Sequence, residues 1–251
     1  MDQSTLSRRG AHSGLLAHKL PRLENMVREI ARDFSPAALA SSLGAEDMVL
    51  TDAVLRLGVE VEIFTLNTGK LHPETLALMD AVESRYRYRI RTFEPDPRTV
   101  QAFLEAHGEE GIYRSLTARK RCCEIRKLAP LRLALKGKRA WITGLRREQS
   151  VTRADIQERE IDAQHGLAKF NPLAHWSEEE VWDYLRAFDV PYNLLHDQGF
   201  RSIGCAPCTR PVAPGEDPRA GRWWWEAPAS RECGLHVAPD GKLVRSKQVQ
   251  P

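Results

Sequence analysis

Short apolar runs alternate along this chain with segments of helical spacing, and this alternation restricts the fold more than any other feature. The apolar runs predict strands at Ala37–Ala40, Val59–Leu66, Tyr88–Phe93 and Ala140–Thr143. Helices are predicted around them at 23–34, 48–57, 73–85, 97–107 and 117–135, the last interrupted near Pro130. Strands that alternate with helices form βαβ units, whose strands run parallel. The sequence therefore predicts an α/β protein with a doubly wound, mostly parallel sheet.

The chain of 251 residues divides into three predicted parts. Residues 1–20 lack the apolar stretch of a secretory signal and are expected to form a flexible leader. Residues 21–210 form the α/β domain, and the last helix predicted in it begins after the N-cap residue Ser177. From 211 to 251, prolines and glycines interrupt regular structure and predict an extended, mobile C-terminal tail.

Composition and charge exclude several classes of function. A net charge of +3 is too mild to suggest nucleic-acid binding, but it suits an enzyme with an anionic substrate. No apolar run approaches the roughly 20 residues that a membrane span needs. We therefore expect a cytoplasmic protein, without nucleic-acid or membrane partners, whose five cysteines stay reduced. The oligomeric state is left open, a homo-oligomer included.

Four of the cysteines form two close pairs, Cys122-Cys123 and Cys205-x-x-Cys208. Four thiolates are the usual ligands of a [4Fe–4S] cluster and also suit structural zinc. Two adjacent cysteines fit the tetrahedral geometry of zinc poorly, whereas a [4Fe–4S] cube offers each thiolate a separate iron corner. Residues 119–127 also contain five Lys or Arg residues, whose charge would balance an anionic cluster. Taken alone, Cys122-Cys123 is better explained as two buried helix cysteines. The two pairs together predict a metal centre.

A loop of small residues follows the first predicted strand. It reads Ser-Ser-Leu-Gly-Ala-Glu-Asp over residues 41–47 and leads into a helix. Such a loop points backbone N–H groups and the positive helix end at an anion, at the sheet edge where ligands bind. An ordinary capped connection explains the same residues about equally well.

Arginines follow the fourth predicted strand at the same edge. Arg146, Arg147 and Arg153 could bind phosphate or sulfate oxygens in a bidentate manner. A solvated surface loop is the alternative. Their placement beside the ligand-binding edge modestly favours a functional role.

The fifth cysteine, Cys233, lies in the tail between Arg231 and His236. A nearby cation and histidine favour the thiolate form, so the pattern indicates a reactive thiol. The run Trp223-Trp224-Trp225 either packs the tail against the domain or covers a nucleotide base, and the sequence does not separate the two. We interpret His175 and His196 as structural.

Taken together, the segments from Ala37 to His236 resemble the iron–sulfur adenylyl-sulfate (APS) reductases of the assimilatory type, within the family of PAPS and APS reductases. The most specific motifs are Cys-Cys, Cys-x-x-Cys and a terminal Glu-Cys-Gly-Leu-His. The fold of that family is an adenine-nucleotide α-hydrolase-like sheet. Its second loop reads Leu-Asp-Thr-Gly, whereas this chain has Asn67 in place of the aspartate.

The resemblance implies roles for individual residues. Cys233 is the expected nucleophile, and Cys122, Cys123, Cys205 and Cys208 are the expected ligands of a [4Fe–4S] cluster. The expected substrate contacts are Ser41, Ser42, Gly44, Leu66, Thr68, Gly69, Lys127, Arg146, Arg147, Arg153, Arg219, Arg222 and His236.

The resemblance also implies an activity, the thioredoxin-dependent reduction of APS to sulfite and AMP in sulfate assimilation and cysteine biosynthesis. Cys233 would form an S-sulfocysteine, from which reduced thioredoxin releases sulfite. The cluster is expected to act structurally or electrostatically. Family members without the cysteine pairs typically use PAPS, so the pairs favour APS. The alternatives are a PAPS reductase, an RNA-thiolating enzyme of the same superfamily and a zinc-stabilised interaction module.

Overall fold

The computed structural model describes residues 17–150 and 153–227. Its strands are β1 (Ala37–Ala40), β2 (Val61–Leu66), β3 (Arg91–Phe93), β4 (Ala140–Ile142), β5 (Arg159–Asp162) and β6 (Leu167–Phe170). Its α-helices are α1 (Lys19–Asp33), α2 (Ala45–Leu57), α3 (Pro73–Tyr86), α4 (Pro97–His107), α5 (Gly111–Arg114), α6 (Leu116–Cys123), α7 (Ala129–Leu135) and α8 (Glu178–Ala187). The chain also forms a π-helical segment at Glu124–Leu128 and 3₁₀ helices at Arg147–Gln149, Leu194–Gln198 and Ala206–Cys208.

Within the described residues, the strands form one six-stranded sheet in the order β3-β2-β1-β4-β6-β5. The pairs β1–β2, β2–β3, β1–β4 and β4–β6 are parallel, and β5 pairs antiparallel with β6. The strand order reverses between β1 and β4. Such a reversal opens a crevice at the carboxyl ends of the strands, where open α/β sheets bind ligands. The predicted mostly parallel sheet is confirmed.

Residues of β1 alternate between two hydrophobic cores. Ala37 and Leu39 pack in the core that includes buried residues of α1, α2 and α8. Ala38 packs on the other face with Trp141 and with the buried residues of α7. Helices therefore cover both faces of the sheet. Burial on both faces explains why β1 is a continuous apolar run instead of an alternating one.

The predicted helix at 117–135 is interrupted near Pro130, as expected. α6 ends at Cys123, the π-helical segment follows, and α7 begins at Ala129. Pro130 lies in the first turn of α7. A proline has no N–H to donate to the carbonyl four residues earlier, and its ring clashes with that carbonyl in a regular α-helix. The π-helical segment directly before Pro130 replaces the regular helix there, so the predicted interruption is confirmed.

Two features differ from the prediction. α1 begins at Lys19, so the end of the predicted leader is helical, while residues 1–16 lie outside the described part of the chain. The strands β5 and β6 were not predicted. β5 is an edge strand with the sequence Arg-Glu-Ile-Asp, which contains no apolar run. Charged residues are common on edge strands, where they discourage pairing with other chains.

Candidate active site

The carboxyl ends of β1, β2 and β4 border a cavity of about 560 Å³. Most of the predicted substrate contacts line it: Ser41, Ser42, Gly44, Leu66, Thr68, Lys127, Arg146, Arg153, Arg219 and Arg222. Gly69 and Arg147 are not among its lining residues, and His236 lies outside the described residues. The cavity therefore gathers residues from three strand ends and from the first part of the tail.

The loop over residues 41–47 is held by the buried carboxylate of Asp47. Its Oδ2 accepts hydrogen bonds of 2.6 Å from both N and Oγ of Ser42. Its Oδ1 accepts a bond of 3.1 Å from N of Gly144, two residues after β4. A side chain at Gly144 would not fit, because its Cβ would lie 2.3 Å from Asp47 Oδ1. One carboxylate thus joins the loops after β1 and β4, and it engages the Ser42 amide that was expected to face an anion.

The three arginines after β4 are oriented differently. Arg146 and Arg153 are buried and line the cavity. Arg146 also donates from Nε to Oε1 of Glu46 at 2.8 Å. Arg147 donates from Nε to the carbonyl of Ile156 at 2.7 Å. Arg146 and Arg153 are therefore placed to meet an anion in the cavity, whereas Arg147 braces its own loop.

Further cations reach the cavity from α6–α7 and from the tail. They are Lys127, Arg219 and Arg222. Arg222 donates from Nη1 to the carbonyl of Ile203 at 3.1 Å. Its guanidinium lies against Gly204, where a Cβ would be 2.3 Å from Nη2. The close approach of Arg222 thus requires a glycine immediately before Cys205.

A second cavity, of about 200 Å³, is lined by Cys122, Cys123, Cys205 and Cys208 together. Basic side chains outnumber acidic ones in its lining, with Lys70, Arg119, Arg126 and Lys127 against Glu109 and Glu110. Within residues 17–150 and 153–227, no group of three or more His, Cys, Asp and Glu side chains forms a site for a metal ion as they stand. The cavity itself has room for a group larger than one ion. Four thiols and a cationic lining fit the donor set and the negative charge of a [4Fe–4S] cluster.

The thiols of this cavity differ in their acidity. Burial raises the pKa of Cys122. Burial, together with the neighbouring thiols, raises the pKa of Cys208 to about 12. Burial also opposes ionisation of Cys205, but Lys127, the hydroxyl of Thr68 and nearby arginines outweigh it and lower its pKa. Because thiolates are the metal-binding form, occupation of this cavity by a metal group would release protons.

Lys127, Cys205 and Trp223 line both cavities. The Cys205–Cys208 turn is docked on the loop after β2. Sγ of Cys205 lies 3.2 Å from Oγ1 of Thr68, and N of Ala206 donates to the carbonyl of Lys70 at 2.8 Å. The cysteine cavity and the cavity at the sheet crevice therefore share a wall.

Residues 211–227, the described part of the predicted tail, contain turns but no helix or extended strand. They are packed on the domain. Thr209 and Arg222 form an isolated antiparallel bridge, and N of Trp223 donates to the carbonyl of Cys208 at 3.1 Å. Trp223 is buried, as expected if the run packs the tail against the domain, and it also lines both cavities. A contact with a nucleotide base stays a prediction. Cys233 lies outside the described residues, and its role stays a prediction.

Some residues of the cavity were not expected. His196, interpreted as structural, lines it with its ring edge-on to Trp182 at 5.2 Å. Asp47 was predicted only as the last residue of the loop over 41–47, and Gly144 was given no role. The position of Gly144, two residues after β4 and beside the loop after β1, is what indicates its role. That neighbourhood depends on the strand order, which local sequence does not reveal.

The sequence matches the model of a known protein family. Residues 36–211 match the phosphoadenosine phosphosulfate reductase domain. An adenosine 5′-phosphosulfate reductase of Burkholderia cepacia is 53% identical over 222 residues, covering 88% of this chain and 89% of the relative. The reductase of the same name from Allochromatium vinosum is 53% identical over 211 residues, covering 84% and 82%.

Solved structures share the fold. A phosphoadenylyl-sulfate reductase from Candida auris superposes with a TM-score of 0.65 at 24% identity, covering 75% of this chain and 90% of that one. An FMN adenylyltransferase of Candida glabrata in complex with ATP gives a TM-score of 0.54 at 14% identity, covering 90% and 81%. At these identities the likeness concerns the fold alone.

Replacing Asp47 by Asn should change how stability depends on pH. Burial raises the pKa of Asp47 to about 6, against the influence of its hydrogen bonds. Because the pKa of Asp47 is higher in the folded than in the unfolded protein, protonation of this group stabilises the fold. The stabilisation is complete below the pKa of the unfolded state and is lost as the pH rises through about 6. From pH 7.5 down to pH 5, the wild type should gain about 1 kcal/mol from this group.

Urea unfolding at both pH values measures this difference. Asp47→Asn should lack the gain, whereas Glu148→Gln, at an exposed carboxylate of the same cavity, should keep it. The same pH dependence in Asp47→Asn and wild type would contradict the buried-carboxylate account.

Proposed function

Because this chain belongs to the phosphoadenosine phosphosulfate reductase domain family, we propose that it is an oxidoreductase that reduces APS to sulfite and AMP in sulfate assimilation. The observation that carries the proposal is the wall of Lys127, Cys205 and Trp223 between a cation-lined cavity and a cavity lined by four cysteines. The names of the two bacterial relatives support APS as the substrate.

The charge distribution of the larger cavity suits a nucleotide with an anionic end. Lys127 lines both cavities, and Arg222 contacts Gly204 and Trp223 at their common wall. We assign the phosphosulfate to that side. The loop after β1 uses the Ser42 amide to bind Asp47. We therefore assign anion binding to the side chains and the nucleoside to the loops after β1 and β2.

The proposed reaction begins at Cys233. Its thiolate attacks the sulfate sulfur, an S–S bond forms, and the S–O bond to phosphate breaks with the electron pair leaving on AMP. Preorganised Arg and Lys side chains stabilise the charge that develops on the departing phosphate. A thiolate of reduced thioredoxin then attacks Sγ of Cys233, and sulfite leaves with the electron pair. The second thioredoxin thiol resolves the mixed disulfide, so thioredoxin is oxidised by two electrons.

We propose that Cys122, Cys123, Cys205 and Cys208 hold a [4Fe–4S] cluster, since all four line one cavity. When bound, the cluster would supply a fixed anionic centre next to the substrate. Basic residues of the cavity would balance that charge, and Lys127 would face both the cluster and the substrate. The Thr68 hydroxyl, 3.2 Å from Cys205 Sγ, would orient this ligand.

The partner and the cellular location belong to the same proposal. Thioredoxin is proposed as the reductant because a dithiol can both release sulfite from the S-sulfocysteine and resolve the mixed disulfide that forms. Among the helices of residues 17–150 and 153–227, none has the length and apolar character needed to cross a membrane. The cytoplasmic location remains a prediction.

Incubation with APS in the absence of a thiol should place a sulfonate on Cys233 that mass spectrometry detects and thiols remove. Cys233→Ser should bind APS and form no adduct, because a neutral hydroxyl is a much weaker nucleophile. With reduced thioredoxin, the wild type should release sulfite faster from APS than from its 3′-phosphorylated analogue. Turnover by Cys233→Ser would refute the nucleophile, and preference for the analogue would favour the PAPS reductase.

Two neighbouring arginines provide a matched test of the substrate cavity. Arg153→Ala should lower kcat/KM for APS by about 10- to 100-fold, as expected for the loss of a charge-assisted contact. Arg147→Ala should stay within about threefold of wild type, because its side chain binds the carbonyl of Ile156. Steady-state sulfite release measures both. A larger loss at Arg147 than at Arg153 would contradict this assignment.

A further inference from the structure

A buried ion pair joins the helix that ends at the first cysteine pair to the C-terminal tail. Nε and Nη2 of Arg119 donate to Oε1 and Oε2 of Glu226 at 2.8 and 2.7 Å. The two side chains are only 1% and 7% exposed. Arg119 lies in α6, one turn before Cys123, and Glu226 lies near the end of the described tail. A bidentate pair with this burial fixes the distance and the angle between its two elements.

Aromatic contacts reinforce this junction. The ring of Trp223 lies between two guanidiniums, with Cζ of Arg119 at 4.8 Å and Cζ of Arg222 at 4.6 Å from its centroid. Trp225 packs edge-on against Tyr113, with 4.5 Å between the ring centroids. Cation–π and aromatic contacts of this kind are strongest where water is excluded. The tail is therefore attached at 222–226 and not only at 209–210.

The buried charges at this junction favour one position of the tail over others. Arg119 lines the cysteine cavity and is also electrostatically coupled to Cys123. Removing Glu226 leaves a buried guanidinium without its bidentate acceptor, which is far less favourable than the paired state. The pair thus stabilises one position of the tail relative to the cysteine cavity. A surface pair, screened by water, would not do this.

We propose that Arg119 and Glu226 are positioning residues that set the tether of the reactive cysteine. This inference rests on the proposed role of Cys233, which follows Glu226 by seven residues. Seven extended residues span at most about 25 Å, whereas the ten residues that follow Trp223 would span about 35 Å. The pair therefore shortens the length of chain between Cys233 and its last attachment to the domain.

The length of the tether sets the expected size of the effect. The effective concentration of a tethered group falls with about the 3/2 power of the tether length. Without the pair, the next attachment is Trp223, whose N–H donates to the carbonyl of Cys208. Lengthening the tether from seven to ten residues should lower that concentration about 1.7-fold. The change affects the delivery of Cys233 to the substrate and leaves the substrate cavity unchanged.

The test measures formation of the sulfonate on Cys233 in a single turnover, with saturating APS, no thiol, and the cluster-containing full chain. Glu226→Ala should slow adduct formation by about 1.7-fold, and Glu226→Gln, which keeps the shape and one acceptor, should slow it less. AMP affinity and the visible absorption of the cluster should match wild type in Glu226→Gln. Glu216→Ala removes the partly exposed, bidentate partner of Arg210 in the same segment and should leave the rate unchanged.

The outcomes separate this inference from the proposed function. No adduct on Cys233 in the wild type would refute the proposed function itself. A wild-type adduct with unchanged rates in both Glu226 variants would overturn only the anchor. The anchor would also be overturned if Glu226→Gln lost cluster absorption and AMP affinity to the same extent as it lost the rate of adduct formation. The pair would then only maintain the fold. If Glu226→Ala does not fold, Glu226→Gln alone decides.

Discussion

The contact between the Cys205–Cys208 turn and the loop after β2 organises the rest of the site. Sγ of Cys205 meets the Thr68 hydroxyl at 3.2 Å, and the Ala206 amide donates to the Lys70 carbonyl. The loop after β2 follows a strand that is paired in parallel with β1 on one side and β3 on the other, so it is a rigid support. Through this contact, a cysteine pair distant in sequence is brought to the edge of the crevice. The two cavities have a common wall because of it.

Electrostatics divides the larger cavity into two regions. Near β1 and β4, the buried Asp47 carboxylate occupies the Ser42 and Gly144 amides, and Arg146 is paired with Glu46. Toward the cysteines, Lys127 and Arg222 provide positive charge, and Arg153 adds to the positive charge of the cavity from the loop after β4. A ligand with a weakly polar end and a strongly anionic end would be oriented by this difference. Orientation of this kind is required if a sulfate sulfur is to meet a thiolate carried by a separate segment.

The features that could be predicted from the sequence are those that depend on local patterns of residues and those that belong to the motifs of the family. The apolar runs located β1 and β4 closely, the family was confirmed, and the four paired cysteines do line one cavity. The sequence could not predict that Asp47 bonds across to Gly144, since that contact requires β1 to lie beside β4. The different orientations of Arg147 and Arg153 depend on one turn of 3₁₀ helix. β5 was not predicted because it has no apolar pattern. Contacts that arise from topology, or from a single turn, leave little trace in composition or spacing.

The central claim is that the cysteine cavity and the substrate cavity act on one another through their common wall. Mössbauer spectra of anaerobically purified Cys233→Ser protein, enriched in ⁵⁷Fe, test it directly, because this variant should bind APS without consuming it. The account predicts the spectrum of a [4Fe–4S] cluster that changes when APS binds and stays unchanged with uncharged adenosine. A cluster spectrum identical with and without bound APS, or a protein that contains zinc and no iron, would contradict the account.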